Sequence, residues 1–152
     1  MDATRLAARL LEPIPANRTF AIELLSAIDA SAEVALVVAS EFHNVIGSLH
    51  SSGLIALVDA AGLAAIIAAA AEEHELHDVT PLGSVAHLEF PSPAYARLVD
   101  SCKLTEHARR DLRVLLEGKA RKAQLDTAAD VIDADNVVVC RGTFTWKLHG
   151  GS

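Results

Sequence analysis

The sequence predicts one α+β domain in which an antiparallel sheet of about six strands wraps around a long apolar helix. Residues 54–71 form an 18-residue run whose only charged member is Asp59, and a helix that is apolar on every side is normally buried. Stretches on both sides of this run alternate apolar and polar residues, as half-buried strands do. Their connections are mostly too short for parallel crossovers, so the strands should pair antiparallel. We expect residues 1–152 to form a single domain.

The first elements are a short helix and a strand. Residues 1–15 predict an amphipathic helix, with Leu6 and Leu10 on one face and prolines at its end. Asn17–Ile28 alternates and predicts the first strand. The other predicted strands are Glu33–Ser40, Gly83–Phe90, Leu98–Leu104, Ala120–Ile132 and Val138–Leu148, with a hairpin turn at Asp133–Asn136 between the last two.

Two more helices complete the prediction. The apolar helix should run from about His50 to His74, and Thr105 is a good N-cap for a surface helix to about Glu117. Residues 54–71 just reach the length of a membrane span. Nine of them are alanine and one is glycine, however, and such a composition partitions weakly into lipid. We therefore predict a core helix and no membrane contact.

Charge and cysteine content exclude several classes of protein. The net charge of −7 argues against a nucleic-acid binder, which would present a basic face. Cys102 and Cys140 show neither metal-site spacing nor a disulfide framework, which favours a reducing, cytoplasmic location. His74 and His77 lie three residues apart, which misses the spacing of a helical zinc pair. We expect no metal site.

Asp59 is the first candidate for chemistry. A carboxylate inside an apolar helix is costly when it is ionised and unpaired. Burial raises its pKa toward the range that suits a general base. The alternative is a satisfied structural aspartate at a contact between helices or between two subunits.

The N-terminus of the same helix is the second candidate. Residues His50 to Gly53 should present free backbone N–H groups at the positive end of the helix dipole. Such groups can stabilise a developing oxyanion. The alternative is an ordinary cap, because Ser48, Ser51 and Ser52 are all good capping residues.

Together these positions resemble a known motif. Asn44, Gly47 and His50, followed nine residues later by Asp59, resemble the motif of the PaaI-like, or broader DUF4442-like, acyl-CoA thioesterases of the hotdog fold. Phe90–Pro93 and Gly142–Trp146 are similar to a strand end and the closing strand of that family. The resemblance extends from about residue 17 onward.

The resemblance implies a role for each position. Asp59 would orient or deprotonate the attacking water, and Asn44 and the Ser51 N–H would polarise the thioester carbonyl. His50 would lie near the leaving sulfur. The candidate substrate-binding positions are Gly47, Ser52, Gly53 and Ser84.

Two positions depart from the family pattern. Ser51-Ser52 replaces two glycines, which narrows the pocket and limits backbone freedom. Gly83 stands where relatives often carry a water-binding hydroxyl, and Ser84 and Thr80 are the nearby alternatives.

Basic residues are concentrated in one window. Residues 97–122 hold eight of the thirteen Lys and Arg and only four acids. Lys119, Arg121 and Lys122 are clustered and could hold the phosphates of coenzyme A. The alternative is a solvated helix stabilised by ion pairs at i,i+4 spacing.

The resulting hypothesis is an acyl-CoA thioesterase, with the coenzyme A thioester as substrate and no separate cofactor. The alternatives are an enoyl-thioester hydratase and a non-catalytic acyl-CoA-binding or structural hotdog protein.

Helix geometry adds one constraint. Nine residues place Asp59 on the opposite side of the helix from His50 and about 13.5 Å further along. We therefore expect a homodimer in which two chains share each site, and the resemblance also allows a dimer of dimers.

Overall fold

The computed structural model describes residues 1–151. The helices are α1 (Ala3–Leu11), α2 (Pro15–Thr19), α3 (Ser51–Ala68) and α4 (Glu106–Leu116). The strands are β1 (Glu23–Ile28), β2 (Ser31–Val37), β3 (Thr80–Glu89), β4 (Arg97–Lys103), β5 (Lys122–Ile132) and β6 (Val138–His149). The six strands form one antiparallel sheet in the order β1-β2-β4-β5-β6-β3, so β1 and β3 are its edges.

The apolar helix α3 lies in the core, as predicted. It is long and apolar enough to cross a membrane by length and composition, but 67% of it is buried inside the domain. It packs mainly against β2 and β4, with α1 on its other side, and its contact with β3 is slight. Gly62 allows a close approach to the sheet, because a Cβ there would lie 2.8 Å from both Thr127 Oγ1 and Trp146 Nε1.

The predicted first strand is wrong over its first half. Pro15 begins α2 instead, since its fixed φ suits the first turn of a helix. The Asn17 side chain then donates to Leu11 O (3.1 Å), which ties α2 to α1. Strand β1 begins only at Glu23, and a bulge near its middle changes which residues face inward. Ile28 is consequently exposed where the alternation predicted burial.

The apolar helix also ends earlier than predicted, at Ala68 and not near His74. Arg113 donates from Nη2 to the Ala69 carbonyl (2.9 Å) and from Nη1 to Glu75 Oε1 (2.7 Å), which closes the C-terminal end. A capping box between Glu72 and Glu75 then starts a short 3₁₀ turn. The Thr105 cap is confirmed, because its hydroxyl accepts from the Ala108 N–H (3.1 Å).

One buried carboxyl joins two strands that otherwise separate. Strands β4 and β5 pair only at Val99–Ile132 and Asp100–Val131. Beyond that point Asp100 Oδ1 accepts from the Asp130 N–H (3.1 Å), while Oδ2 has no partner within residues 1–151. Burial, opposed in part by that hydrogen bond, raises the pKa of Asp100 to about 7.

This burial predicts a specific dependence of stability on pH. The folded state keeps the Asp100 proton up to about pH 7, whereas the unfolded chain releases it near the ordinary 3.8. Stability should therefore fall as the pH rises from about 4 to 7, by up to about 4 kcal/mol. In Asp100→Asn that fall should shrink, measured by urea unfolding at pH 4, 6 and 8. The same fall in both proteins would contradict the assignment.

Candidate active site

Asn44 organises the loop before α3. Its Oδ1 accepts from the N–H groups of Ile46 (3.1 Å) and Ser48 (3.1 Å), and its Nδ2 donates to Ser48 Oγ (2.7 Å). Gly47 adopts a φ of +79°, a left-handed conformation that suits glycine. One Nδ2 hydrogen of Asn44 remains available to a ligand, because the amide carries two. Asn44 is therefore first a scaffold for the loop.

His50, and not a serine, is the N-cap of α3. Its Nδ1 accepts from the Ser52 N–H (3.1 Å), and Ser52 Oγ lies 2.8 Å from the same atom. Because Nδ1 accepts a hydrogen bond, these partners assign the ring hydrogen to Nε2. His50 is exposed, so the Nε2–H can donate to a bound molecule.

One backbone donor at this helix end is left for a ligand. Ser52 donates to His50 Nδ1, and Gly53 donates to the His50 carbonyl (2.9 Å). Ser51 is exposed, and its N–H at the first helical position has no partner among residues 1–151. The Ser51 N–H is thus free to bind an oxyanion, whereas that of Ser52 serves the cap.

A cleft of about 430 Å³ lies against this helix end. Asn44, His50 and Ser51 form part of its wall, and Phe90 and Pro91 after β3 form the other side. The Leu49 N–H donates to the Ala94 carbonyl (2.9 Å), which fixes the two sides together. The structure therefore brings together the predicted carbonyl-binding residues.

Asp59 lies outside this cleft. It is half-buried on α3, and no group within residues 1–151 donates a hydrogen bond to its carboxylate. Burial raises its pKa to about 6. A Cβ on Gly83 would lie 3.6 Å from Asp59 Oδ2 and 2.5 Å from the ring of Phe144. Asp59 therefore faces the beginning of β3, whereas the cleft lies beyond its end.

An open trough runs between α3 and the inner face of β3. Gly83 is paired with Trp146, and Ala86 with Phe144, so both face the same side of the sheet as those buried rings. Gly83 and Ala86 are nevertheless exposed. Asp59 is the polar group on the α3 side of this trough. The sequence did not predict the trough, because the trough depends on the pairing of β3 with β6.

The remaining predicted residues occupy other places. Ser84 is the extra residue of a bulge in β3, and its hydroxyl donates to the Thr145 carbonyl (3.3 Å). Lys119 forms an exposed ion pair with Glu117 (2.6 Å). Lys122 begins β5 and is paired with His149, which is paired in turn with Thr80 at the start of β3. The basic cluster is thus at the opposite end of the sheet from the cleft of the same chain.

Comparison with known proteins identifies the architecture. No protein-family model and no curated protein sequence matches the chain. The PaaI protein from the phenylacetic acid degradation operon of E. coli superimposes with a TM-score of 0.67 at 16% identity, over 99% of this chain and 94% of that one. A thioesterase from Haemophilus influenzae gives 0.69 at 16% identity, over 93% and 88%. The chain has the hotdog fold.

A third hotdog structure was solved with coenzyme A. It is a hypothetical thioesterase from Streptococcus pneumoniae, with a TM-score of 0.64 and 15% identity over 86% of this chain and 87% of that one. The predicted PaaI-like hotdog architecture is thereby confirmed. The DUF4442-like resemblance and the roles of single residues stay predictions, because identities this low show the fold alone.

The loop geometry predicts the effect of replacing Asn44. Asn44→Ala removes the acceptor for two amides, so hydrogen exchange at Ile46 and Ser48 should become about tenfold faster. Asn44→Asp keeps that acceptor and should keep both amides protected, although it loses the Nδ2 donor. NMR-detected exchange measures both. Unchanged rates in Asn44→Ala would show that the loop does not depend on this side chain.

Proposed function

We propose that this protein hydrolyses acyl-CoA thioesters. The observation that carries the proposal is Asp59, an unpaired carboxylate with a pKa near 6 that faces an open apolar trough. Such a group accepts a proton from water efficiently near neutral pH. The thioesterases among the hotdog structures above support the same activity.

The proposed reaction needs only groups of the protein and one water. Asp59 takes a proton from a water molecule while the water oxygen bonds to the thioester carbonyl carbon. The Ser51 N–H, at the positive end of α3, stabilises the oxyanion that forms. When the C–S bond breaks, the His50 Nε2–H hydrogen-bonds the leaving thiolate. The proton held by Asp59 then passes to that sulfur, which gives free thiol and restores the carboxylate. The products are a carboxylic acid and free coenzyme A, and no cofactor takes part.

Two chains are needed to assemble this site. Asp59 and Ser51 lie on one helix and are separated by the trough and the cleft described above, so they cannot contact one carbonyl within a chain. If two β3 edges pair antiparallel, the beginning of one strand lies beside the end of the other. The Asp59 of one subunit then approaches the partner's cleft, and two equivalent sites result.

Strand β3 is suited to such pairing. Eight of its ten residues are exposed, and Leu82 and Val85 present apolar side chains on its outer face. An uncovered edge of this length is a template for another strand. The other edge, β1, is shorter and packs against α1.

The same pairing explains the position of the basic residues. Lys122 lies at the end of the sheet where β3 begins, next to His149 and Thr80. In the proposed dimer this corner lies beside the partner's cleft. We propose that Arg121 and Lys122, assisted by Lys119, hold the phosphates of the coenzyme A whose carbonyl is bound in that cleft. The hotdog structure solved with coenzyme A supports a ligand of this class.

Replacing the proposed base tests the activity. Asp59→Asn should lower kcat at least about a hundredfold, because it removes the proton acceptor. In the wild type kcat should rise with pH through about 6, as Asp59 loses its proton. The residual rate of Asp59→Asn should lack that rise. Free thiol release from an acyl-CoA panel measures both, and wild-type turnover by Asp59→Asn would refute the mechanism.

Mixing two inactive variants tests the shared site. Asn44→Ala/His50→Ala and Asp59→Ala should each be inactive. Unfolded and refolded together, they should form mixed dimers with one doubly damaged site and one intact site. Random pairing makes half of the dimers mixed, so about a quarter of wild-type activity should return. No recovery, with mixed dimers confirmed by mass spectrometry, would place the whole site within one chain.

A further inference from the structure

The His50 ring is held by two donors from a single residue. The Ser52 N–H donates to Nδ1 (3.1 Å), and Ser52 Oγ lies 2.8 Å from the same nitrogen. A backbone N–H can only donate, so Nδ1 is an acceptor and carries no hydrogen. Because Nδ1 then has no hydrogen to give, the Ser52 hydroxyl donates to it as well. Both hydrogen bonds therefore favour the ring with its hydrogen on Nε2.

The Ser52 side chain is directed at this ring and not at the cleft. The wall of the cleft includes His50 and Ser51 but not Ser52, although Ser52 is exposed. A glycine at position 52, as in the motif that this segment resembles, would keep the N–H donor and lose the hydroxyl. The second hydrogen bond to His50 is thus a consequence of the serine that this chain carries.

The hydroxyl adds two constraints to the ring. Within residues 1–151 Ser52 supplies all the hydrogen bonds of the His50 ring. A ring held by one N–H can still turn about its Cβ–Cγ bond, whereas a second donor from another direction restricts that rotation. A hydrogen bond into Nδ1 also polarises the ring, which makes the Nε2–H a stronger donor. The hydroxyl thereby acts on both the direction and the strength of the ring hydrogen that is left for a ligand.

We propose that Ser52 is a positioning residue whose hydroxyl holds the His50 Nε2–H in place for the leaving thiolate. The proposal rests on the proposed thioesterase function and gives Ser52 a role in it without contact with the substrate. Its effect should appear in the step that breaks the C–S bond, since the His50 hydrogen bond forms to the charge that develops there. Substrate binding should change little, because the groups that contact the carbonyl stay in place.

Removing the hydroxyl tests this role in the rate. Ser52→Ala keeps the backbone N–H and should lower kcat about fivefold, as expected for one lost hydrogen bond between neutral groups, with KM within about twofold of wild type. Ser52→Thr keeps a hydroxyl and should restore kcat. The matched control is Ser101→Ala on the outer face of β4, where the exposed hydroxyl donates to Glu33 (3.2 Å), and it should behave as wild type. Equal kcat in Ser52→Ala and wild type would overturn the proposal.

A double-mutant cycle shows whether Ser52 acts through His50. His50→Asn keeps a good N-cap residue but removes the imidazole. In that background Ser52→Ala should cause no further loss of kcat, because the group that it positions is gone. A loss of about fivefold that persists without the imidazole would show that the hydroxyl contacts the substrate or supports the fold, and the proposal would be wrong.

A measurement without turnover separates this proposal from the catalytic one. Nitrogen-15 NMR shifts distinguish a ring nitrogen that carries hydrogen from one that accepts, and the His50 signals are identified by their absence in His50→Asn. Above about pH 8, where an imidazole is neutral, wild-type Nδ1 should give the acceptor signal and Nε2 the donor signal. In Ser52→Ala the two shifts should approach each other, and Ser52→Thr should restore them.

The two proposals then fail in different ways. The change in ring signals in a protein that releases no thiol would keep the positioning role and refute the hydrolysis. Thiol release with identical ring signals in Ser52→Ala and wild type would keep the hydrolysis and refute the positioning role.

Discussion

The burial of α3 is the constraint on which the rest of the structure depends. The helix is apolar around its whole circumference, so every side of it needs a cover. Strands β2 and β4 cover one side and α1 covers another, but the side toward β3 stays open. Asp59 lies in the middle of that open side. The incomplete part of the core and the proposed catalytic carboxylate therefore coincide, which in the proposed dimer links subunit assembly to chemistry.

Two acids show how surroundings decide a role. Burial raises the pKa of both Asp59 and Asp100. Asp100 is sealed in the core and accepts a hydrogen bond from the Asp130 N–H, so its proton affects stability. Asp59 has no such partner and reaches the open trough, so its proton is available to a substrate. The same physical cause thus supports a structural acid in one place and a proposed base in the other.

Local sequence patterns predicted the core helix, the Thr105 cap and the closing hairpin, because each depends on residues close together in the chain. They failed at residues 17–22, where alternation resembles a strand. Pro15 and the Asn17 bond to Leu11 O instead give a short helix that ends at Thr19 and is followed by a turn. They also could not show where α3 ends, since Arg113 reaches its carbonyls from a distant helix.

The candidate site was likewise predictable only where its residues are close together in the sequence. Asn44, His50 and Ser51 lie within one short loop and helix end, so the sequence could group them. The closeness of Gly83 and Phe144 to Asp59 depends on the bulged register between β3 and β6. A pairing of strands that are distant in sequence leaves no local pattern, although alternation did place Phe144 on the inner face.

The central claim is that one carbonyl is bound between two chains. The most direct measurement is a crystal structure of the protein with a dethia acyl-CoA analogue, in which a methylene replaces the thioester sulfur and leaves a ketone at the position of the carbonyl. We predict the ketone oxygen within hydrogen-bonding distance of the Ser51 N–H of one subunit, with Asp59 from the other subunit facing the ketone carbon. A ketone bound beside Asp59 and Ser51 of the same chain, or far from both, would contradict the account.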